Sequence, residues 1–316
     1  MAEQSDDITS FASFAVVQDP ASIANIGETI RLEWVRPTFG PSPARFARPV
    51  NWQMFEGSVL SVTFSTPNEH RVLGSAVMVA PGVALTVNHV VEDHLNDISG
   101  GNVGVMCTGI ASHGAEGWKL RQGVCVDRTD ICILSLEYMA QLPPTRKFHH
   151  ATLSTRTPRL GERLTGAGFR AEGGPFARTP GQSELLTAGL LLTSGEVIDI
   201  YQEGRGSLKP WPALGVDCPT PGGMSGGPVF DDRGFLVGLI SSSVESGVGV
   251  EPSPTFVALC WPALGQRFLG TWPPTGRSHI SLLELAATGA CYIEKPESVE
   301  AEYEEGRTTT RYITWS

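Results

Sequence analysis

The sequence predicts an all-β protein. Its 36 glycines and 23 prolines are scattered among short apolar runs, which is typical of many strands joined by turns. Long helical patterns are nearly absent, and the strand-like runs follow one another directly instead of alternating with helices. This spacing favours barrels or a sandwich over βαβ units.

The predicted strands are short apolar segments bounded by turn-forming residues. They comprise residues 58–65, 71–79, 83–87, 118–126, 131–136, 163–169, 185–192, 197–201, 235–241 and 255–260. The first 50 residues end in a stretch rich in proline and arginine and are predicted to form an extended lead-in. Beyond residue 272, the acidic stretch 297–306 and the strand-like run TTTRYITW predict a solvated tail with an appended strand.

Charge and hydropathy exclude several classes of partner. With 33 acidic and 23 basic residues the formal charge is -10, and lysine and arginine do not cluster, so nucleic acid is not an expected partner. No apolar run reaches the roughly 18 residues that span a bilayer, and the first residues lack the pattern of a signal peptide. We therefore expect a cytoplasmic protein without a membrane partner. No pattern predicts its oligomeric state.

The six cysteines are predicted to be free thiols. Most of them lie in apolar strand-like runs, where a free cysteine behaves as a small hydrophobic residue, and a chain of this length does not need disulfides to hold its core. No C-x-x-C pair and no Cys/His pairing has the spacing of zinc ligands. We expect no metal and no other cofactor.

The most informative motif is the string GGMSGGP at residues 222–228. Glycines on both sides of Ser225 allow backbone conformations that a Cβ would forbid, and they let a substrate approach the main chain closely. The backbone N–H groups of Gly223 and Ser225 can then stabilise an oxyanion, an effect worth about 3 kcal/mol per donor. The string predicts a nucleophilic serine with its own oxyanion hole.

A serine hydroxyl needs a base that takes its proton, and His89 is the best-framed of the seven histidines. It lies in TVNHVV, where two apolar strands deliver it to the start of a short helical turn. The others lie in polar or turn-like surroundings, which favours surface or hydrogen-bonding roles; they are His70, His94, His113, His149, His150 and His279. We predict that His89 is the general base.

The third member of the predicted site is Asp130, which opens the apolar strand DICIL. A carboxylate at the mouth of a buried strand is costly unless it is paired, so this position invites a partner. Its role would be to accept a hydrogen bond from the imidazole nitrogen remote from the serine and to stabilise the imidazolium. Asp127 is the alternative, although a surface turn explains it more simply.

Together the three strings resemble the chymotrypsin-like (trypsin-like) serine peptidase family, in its bacterial or intracellular branches without a PDZ domain. The family motifs T-x-x-H-V, D-[LIV]-x-[LIV] and G-x-S-G-G-P read TVNHV, DICIL and GMSGGP here, in the same chain order. The resemblance covers residues 55–270. It implies two orthogonal six-stranded antiparallel β-barrels, and an endopeptidase that cleaves peptide bonds in proteins through the triad His89, Asp130, Ser225 and an acyl-enzyme intermediate.

The resemblance divides the chain into four predicted segments. Residues 1–50 form an N-terminal extension, and residues 51–155 form a first barrel with the candidate base and acid. Residues 156–272 form a second barrel with the candidate nucleophile, and residues 273–316 form a C-terminal extension that contains the acidic stretch.

Departures from the family pattern bear on activation. Secreted members usually have an aspartate just before the nucleophile, where it receives a new N-terminal amine after zymogen cleavage, whereas this chain has Met224. The cysteine that commonly follows the histidine is Val90 here. Set against the family, these differences imply a peptidase that needs no N-terminal processing and works in a reducing compartment.

Substrate contacts are predicted on the strand after the nucleophile and in the loop before it. By resemblance, the strand LISSS pairs with the substrate backbone, so Ser241, Ser242 and Ser243 are candidate substrate-binding residues. Pro219 stands where trypsin-type enzymes have the acid of their specificity pocket, which disfavours Arg or Lys before the scissile bond unless Asp217 replaces that acid. Ser243 stands where the family often has a glycine at the mouth of the specificity pocket. This difference indicates a preference for a smaller or polar substrate residue before the scissile bond.

Two alternatives remain open. An α/β-hydrolase-type esterase could use Ser225 in a nucleophile elbow with Asp231 or Asp232 and His279, although CPTPGG is a poor central strand and Gly-Gly-Pro opposes a following helix. A catalytically silent homologue could instead use the barrels as a protein-binding module. For a peptidase, the expected partner is a protein or peptide substrate, and this substrate can be one specific partner protein.

Overall fold

The structure is a computed structural model of the 316-residue chain. It describes residues 14–18, 32–35, 46–47, 55–66, 69–99, 104–139, 147–171, 176–177, 188–207, 209–242, 254–270, 279–304 and 307–313. Most of the predicted N-terminal extension and the candidate residue Ser243 lie outside these ranges. Three strands of the N-terminal part are described: β1 (Phe14–Gln18), β2 (Leu32–Val35) and β3 (Phe46–Ala47).

The first barrel is a closed ring of six antiparallel strands. They are β4 (Val59–Ser65), β5 (Glu69–Ala80), β6 (Val83–Thr86), β7 (Gly104–Ala111), β8 (Gly114–Cys125) and β9 (Cys132–Tyr138). The order around the ring is β5-β4-β7-β8-β9-β6, and pairing of β6 with β5 closes it. Between β6 and β7 the chain forms the short helices α1 (Asn88–Val91) and α2 (Leu95–Ser99), joined by a 3-10 turn (Glu92–His94).

The second barrel follows after two linking strands. The segment from the linkers to the last barrel strand comprises β10 (Lys147–Ala151), β11 (Leu153–Ser154), β12 (Arg163–Ala171), β13 (Phe176–Ala177), β14 (Ala188–Tyr201), β15 (Ala213–Val216), β16 (Pro228–Phe230), β17 (Leu236–Ser242) and β18 (Thr255–Leu259). The order β16-β12-β14-β15-β18-β17 closes through the pairing of β16 with β17. The predicted fold class, two six-stranded antiparallel barrels, is confirmed.

The remaining strands join the barrels to the chain ends. Strand β1 pairs with β10 and β2, β3 pairs with β14, and β13 pairs with β5 of the first barrel. The C-terminal part contains a 3-10 turn (Trp261–Ala263), β19 (Phe268–Leu269), β20 (His279–Ile280), α3 (Leu282–Ala287), β21 (Ile293–Glu294), a second 3-10 turn (Pro296–Ser298), β22 (Val299–Glu304) and β23 (Arg307–Tyr312).

The predicted appended strand is present as β23, and the described part of the acidic stretch pairs with it as strand β22 instead of forming a tail. Strand β22 pairs with β23 over its whole length, and the hairpin packs against the loop at Gly265, whose N–H donates to Thr310 Oγ1 at 3.3 Å. The ring centroids of Tyr312 and Trp261 lie 5.7 Å apart. Acidic residues alternate with Ala301 and other neutral residues in β22, so one face can pack while the carboxylates face water.

Two apolar clusters fill the interior. The larger one occupies the first barrel and extends to the strands and helix α3 that cover the second, and the smaller one lies inside the second barrel. Met224, which precedes the candidate nucleophile, belongs to the smaller cluster and is fully buried. The loop that carries Ser225 is therefore anchored in the core of the second barrel by an apolar side chain.

Candidate active site

His89 and Asp130 form a hydrogen-bonded pair in the first barrel. His89 lies in helix α1, immediately after strand β6, and its Nδ1 is 3.2 Å and 3.3 Å from the two carboxylate oxygens of Asp130. The side-chain amide of Asn88 donates to the carbonyl of Thr129 at 2.8 Å, which ties the helical turn to the loop before Asp130. The His89 side chain is 44% exposed and that of Asp130 is 10% exposed. The imidazole is thus held from the buried side and open on the other.

Asp130 has a second partner from the other barrel. The hydroxyl of Ser241, in strand β17, donates to Oδ2 of Asp130 at 2.6 Å, and Ser241 itself is buried. The buried carboxylate therefore receives hydrogen bonds from two side chains that lie 41 and 111 positions away in the sequence. Because an unpaired buried carboxylate is costly, this pairing explains how Asp130 is tolerated at the mouth of its strand.

Glycines shape the loop around Ser225, as the string GGMSGGP predicts. Gly223 and Gly226 have φ of 95° and 82°, in the left-handed region that favours glycine. A Cβ on Gly226 would lie 2.1 Å from the carbonyl oxygen of Ser75 and 2.2 Å from Thr86 Oγ1, both in the first barrel. The loop approaches the other barrel so closely at this point that no other residue fits.

Ser75, in strand β5, holds the nucleophile loop and was missed by sequence reasoning. Its N–H donates to the Ser225 carbonyl at 2.7 Å, and its hydroxyl donates to the Gly223 carbonyl at 3.1 Å while accepting from the Phe169 N–H at 2.8 Å. Its own carbonyl accepts from the Thr86 hydroxyl at 2.7 Å. A small polar residue inside the apolar strand LGSAVMVA was the signal that could have found it.

Gly74 shows that the nucleophile loop and the histidine turn meet. A Cβ at this position would lie 2.7 Å from the Ser225 carbonyl oxygen and 2.7 Å from a methyl group of Val90, the residue after His89. The main chain of Ser225 and the turn that carries His89 therefore flank the same glycine. Among the described contacts, no hydrogen bond joins the Ser225 hydroxyl to the His89 ring.

The N–H groups predicted to form the oxyanion hole are available. The N–H groups of Met224, Gly226 and Gly227 donate to backbone carbonyls at 3.3, 2.8 and 2.9 Å. Those of Gly223 and Ser225 donate to none of the residues that the structure describes. Within the described part of the chain, the loop therefore leaves the two N–H groups unpaired that the predicted oxyanion hole requires.

The candidate substrate-binding residues have different surroundings. The Ser241 hydroxyl is engaged by Asp130, so only its backbone is left for the predicted pairing with a substrate. The Ser242 hydroxyl accepts a hydrogen bond from the Lys209 ammonium, a residue that sequence reasoning did not consider. Pro219 is exposed, and its carbonyl accepts from the Thr193 hydroxyl at 2.6 Å.

The acids proposed as alternatives have other partners. Asp127 is exposed and pairs with Arg307 of the C-terminal hairpin at 2.8 Å. Asp231 is buried against Arg156 and Arg233, at 2.7 and 2.9 Å. His279 is exposed on strand β20. Because a strand, not a helix, follows the serine and both barrels are antiparallel, the observed fold disagrees with the α/β-hydrolase alternative.

Candidate metal ligands come together once in the described part of the chain. Oxygens of Glu162, Asp231 and Asp232 lie within 4.8 Å of one another. Two of these carboxylates already pair with Arg156, which occupies the place a cation would take.

No helix that the structure describes has the length and apolar composition needed to traverse a bilayer.

His150 differs from the surroundings expected of it. It lies in strand β10, opposite the buried Ala15 of strand β1, and is fully buried. Burial lowers the pKa of the imidazole to about 4, although a contact with the Ala151 carbonyl acts in the opposite direction. Its Nε2 has no hydrogen-bond partner among the residues described. This setting favours a structural role for His150.

The chain resembles several solved structures at low sequence identity. No curated protein matches the sequence. The MamO protease domain from Magnetospirillum magneticum is a similar solved structure, with 16% identity, a TM-score of 0.43, and coverage of 65% of this chain and 93% of that chain. The HtrA-type protease AlgW with decapeptide has 19% identity, a TM-score of 0.42, and coverage of 66% and 63%. Deg5 has 19% identity, a TM-score of 0.42, and coverage of 66% and 86%.

The family itself is established by sequence. The profile of the trypsin-like peptidase domain matches residues 74–239, more than half of the chain. This stretch contains the part of strand β5 that carries Ser75, the pair His89 and Asp130, and the Ser225 loop. The chain therefore belongs to the family of trypsin-like peptidase domains.

Proposed function

We propose that the chain is a serine endopeptidase in which Ser225 is the nucleophile, His89 the general base and Asp130 the residue that orients the histidine. The observation that carries the proposal is the sharing of the Asp130 carboxylate between His89 of the first barrel and Ser241 of the second. This arrangement supports an imidazole whose Nδ1–H faces Asp130 and whose Nε2 is free to act as a base toward Ser225.

In the proposed reaction, the Ser225 hydroxyl attacks the carbonyl carbon of the scissile peptide bond while Nε2 of His89 takes the proton. The N–H groups of Gly223 and Ser225 stabilise the oxyanion. His89 then gives the proton to the leaving amine, the C–N bond breaks and an acyl-enzyme forms. Water, deprotonated by His89, hydrolyses the ester and releases the serine. The hydrogen bond between Ser225 and His89 is expected to form with bound substrate, since such bonds often tighten only in the complex.

The finer features of the proposal concern setting and activation. We place the peptidase in the bacterial cytoplasm, acting on a protein or peptide; the bacterial origin rests on the motif resemblance alone. The six free cysteines support a reducing compartment. Buried Met224 supports a nucleophile loop that is ordered by apolar packing and needs no new N-terminal amine. The boundaries at residues 50, 155 and 272 remain part of the proposal.

A fluorophosphonate probe, which reacts with activated serines, tests the proposed function. We expect the wild-type chain to be labelled, Ser225→Ala to lose labelling and His89→Ala to be labelled far more slowly, because the base activates the hydroxyl. His279→Ala is the matched control, an exposed histidine outside the proposed triad, and is expected to label at the wild-type rate. A folded wild-type chain that does not react would contradict the proposal and favour the catalytically silent homologue.

A further inference from the structure

Two basic side chains lie on one aromatic ring beside the candidate active site. The Lys209 ammonium is 4.6 Å from the ring centroid of Phe256, and the Arg205 guanidinium carbon is 5.2 Å from the same centroid. Lys209 also lies 5.9 Å from the ring of Trp211, and Arg205 lies 5.6 Å from the ring of Tyr201. Aromatic faces attract cations, so these rings form a platform that holds both charges in place.

A backbone hydrogen bond joins the two basic residues to each other. The N–H of Arg205 donates to the Lys209 carbonyl at 2.7 Å, and the two residues form an isolated antiparallel bridge. Gly204, with φ of 85°, packs so tightly here that a Cβ would lie 2.5 Å from the Lys209 carbonyl oxygen. The backbones of Arg205 and Lys209 are therefore held against each other, which fixes the positions from which the two basic side chains extend.

This platform adjoins the residues of the proposed triad. Lys209 donates a hydrogen bond to the hydroxyl of Ser242, and the preceding residue, Ser241, donates to the Asp130 carboxylate. Burial lowers the pKa of Lys209, the charge of Asp130 raises it, and the charge of Arg205 lowers it. The ammonium is thus partly desolvated and lies within electrostatic reach of both Asp130 and Arg205.

The two cations have no carboxylate in direct contact within the part of the chain that is described. Neither Lys209 nor Arg205 forms an ion pair with a carboxylate there. In a chain whose formal charge is -10, two like charges on one ring are costly unless an anion joins them. A carboxylate placed between the two would relieve their repulsion and gain charge-assisted hydrogen bonds.

We propose that Lys209 and Arg205 form a subsite for an acidic side chain of the substrate, close to the scissile bond. The inference rests on the proposed peptidase function and gives it a substrate class: peptides that carry glutamate or aspartate at one defined position. Ser242 is predicted to contact the substrate, and its hydroxyl accepts a hydrogen bond from the Lys209 ammonium. This hydrogen bond holds the ammonium beside the predicted substrate-binding strand. The site selects a negative charge and makes a substrate with lysine at that position unfavourable.

Paired fluorogenic peptides test the subsite. Starting from one cleaved sequence, glutamate and glutamine are compared at each position near the scissile bond. At one position we expect the wild type to favour glutamate about tenfold in kcat/KM, the effect of one charged pair. Lys209→Gln and Arg205→Gln should each reduce this ratio, the double variant should bring it close to one, and Lys209→Glu should favour lysine instead. The wild-type ratio should also fall as salt rises.

The matched control is Arg267→Gln, another exposed arginine that lies over an aromatic ring, 4.9 Å from the centroid of Tyr303; the glutamate preference should survive this change. The subsite is ruled out if the wild type shows no glutamate preference, or if Lys209→Gln slows both peptides equally, which would mean that Lys209 acts through Asp130. Either result with an enzyme that still labels with the fluorophosphonate leaves the proposed function intact. An enzyme that neither labels nor cleaves overturns both proposals.

Discussion

Two buried aspartates, Asp130 and Asp231, have their carboxylates stabilised by different kinds of partner. Asp130 is 8% exposed and accepts from the His89 ring and the Ser241 hydroxyl. Asp231 is 2% exposed and accepts from two arginines, Arg156 and Arg233, and from two backbone N–H groups at 3.0 and 2.9 Å. Arginine keeps its proton at any working pH, whereas histidine can give up and regain one.

The difference separates a structural carboxylate from one suited to chemistry. The arginine cluster also includes Glu162 and Glu294 and joins strand β21 of the C-terminal part to the second barrel. Its charges are fixed, so it can stabilise the fold and cannot relay a proton. The partner of Asp130 is an imidazole whose side chain is 44% exposed, as the proposed exchange of a proton with a substrate requires. A buried acid paired with a titratable base is the signature of the candidate site.

Removing the charge of Asp130 is expected to have the largest effect on activity. In Asp130→Asn the imidazole loses the acceptor that sets its tautomer, and kcat should fall by about 10,000-fold. Thermal stability should change little, because the amide can still accept from Ser241. Steady-state kinetics and thermal unfolding measured on the same preparation check both points. A variant that keeps wild-type turnover would break the comparison, since Asp130 would then be as structural as Asp231.

The corresponding change at Asp231 is expected to act on stability. Asp231→Asn leaves the Arg156 and Arg233 charges partly unpaired around a buried position, and the free energy of unfolding should fall by about 3 kcal/mol. Labelling by the fluorophosphonate per folded molecule should not change. Chemical denaturation combined with active-site titration separates the two readouts. Loss of labelling in a fully folded variant would show that the arginine cluster supports the site as well as the fold.

His150 sharpens the comparison, because it is a buried titratable group without a described carboxylate partner. Its folded-state pKa of about 4 lies below the unfolded value of about 6.5. Between about pH 6.5 and 4 a proton binds His150 in the unfolded chain but not in the folded chain, which favours unfolding. The contribution of neutral His150 to the free energy of unfolding is therefore fully present above about pH 6.5 and is lost as the pH falls toward 4. The loss should reach about 3 kcal/mol by pH 4.

The measurement for His150 is the pH dependence of unfolding free energy between pH 7 and 4. His150→Gln, which cannot be protonated in this range, should show a shallower slope than the wild type, whatever its absolute stability. His279→Gln serves as a control, since that histidine is exposed. Equal slopes in the wild type and His150→Gln would contradict the prediction.

Ser75 is expected to give the smallest effect, as a positioning residue for the Ser225 loop. Ser75→Ala removes the donor to Gly223 and the acceptor for Phe169, and kcat should fall about tenfold with little change in KM, because a shifted oxyanion hole matters most in the transition state. Ser58→Ala is the matched control: it is equally buried, and its hydroxyl donates only to the Phe55 carbonyl, at 2.6 Å. A similar loss of kcat in both variants would indicate a general packing effect.

Local pattern predicted most of the barrel strands and failed where it was ambiguous. Strand β7 was missed because its sequence, GVMCTGIA, has apolar residues on both faces and two glycines, which hides the alternation. Strands β15 and β16 are four and three residues long and adjoin prolines, too short to show a period. The predicted segments 185–192 and 197–201 merge into the single strand β14, because the residues between them pair with β12.

The shape of the Ser225 loop follows from the sequence itself. Glycine permits the positive φ angles observed at Gly223 and Gly226, so the string GGMSGGP by itself predicts a tight turn around Ser225. The helical turn at His89 and the all-β class were likewise readable, because strand alternation and turn residues act over a few positions.

Only the tertiary structure decided which groups meet. The local sequence favoured Asp130 over Asp127 as the partner of His89, but it could not show that Asp130 reaches His89 or that Asp127 pairs with Arg307, 180 positions away. The links from Ser75 to Gly223 and from Ser241 to Asp130 join residues 148 and 111 positions apart. Such contacts depend on how two closed barrels pack against each other, and that packing is set by the buried surfaces of both barrels together rather than by any segment alone.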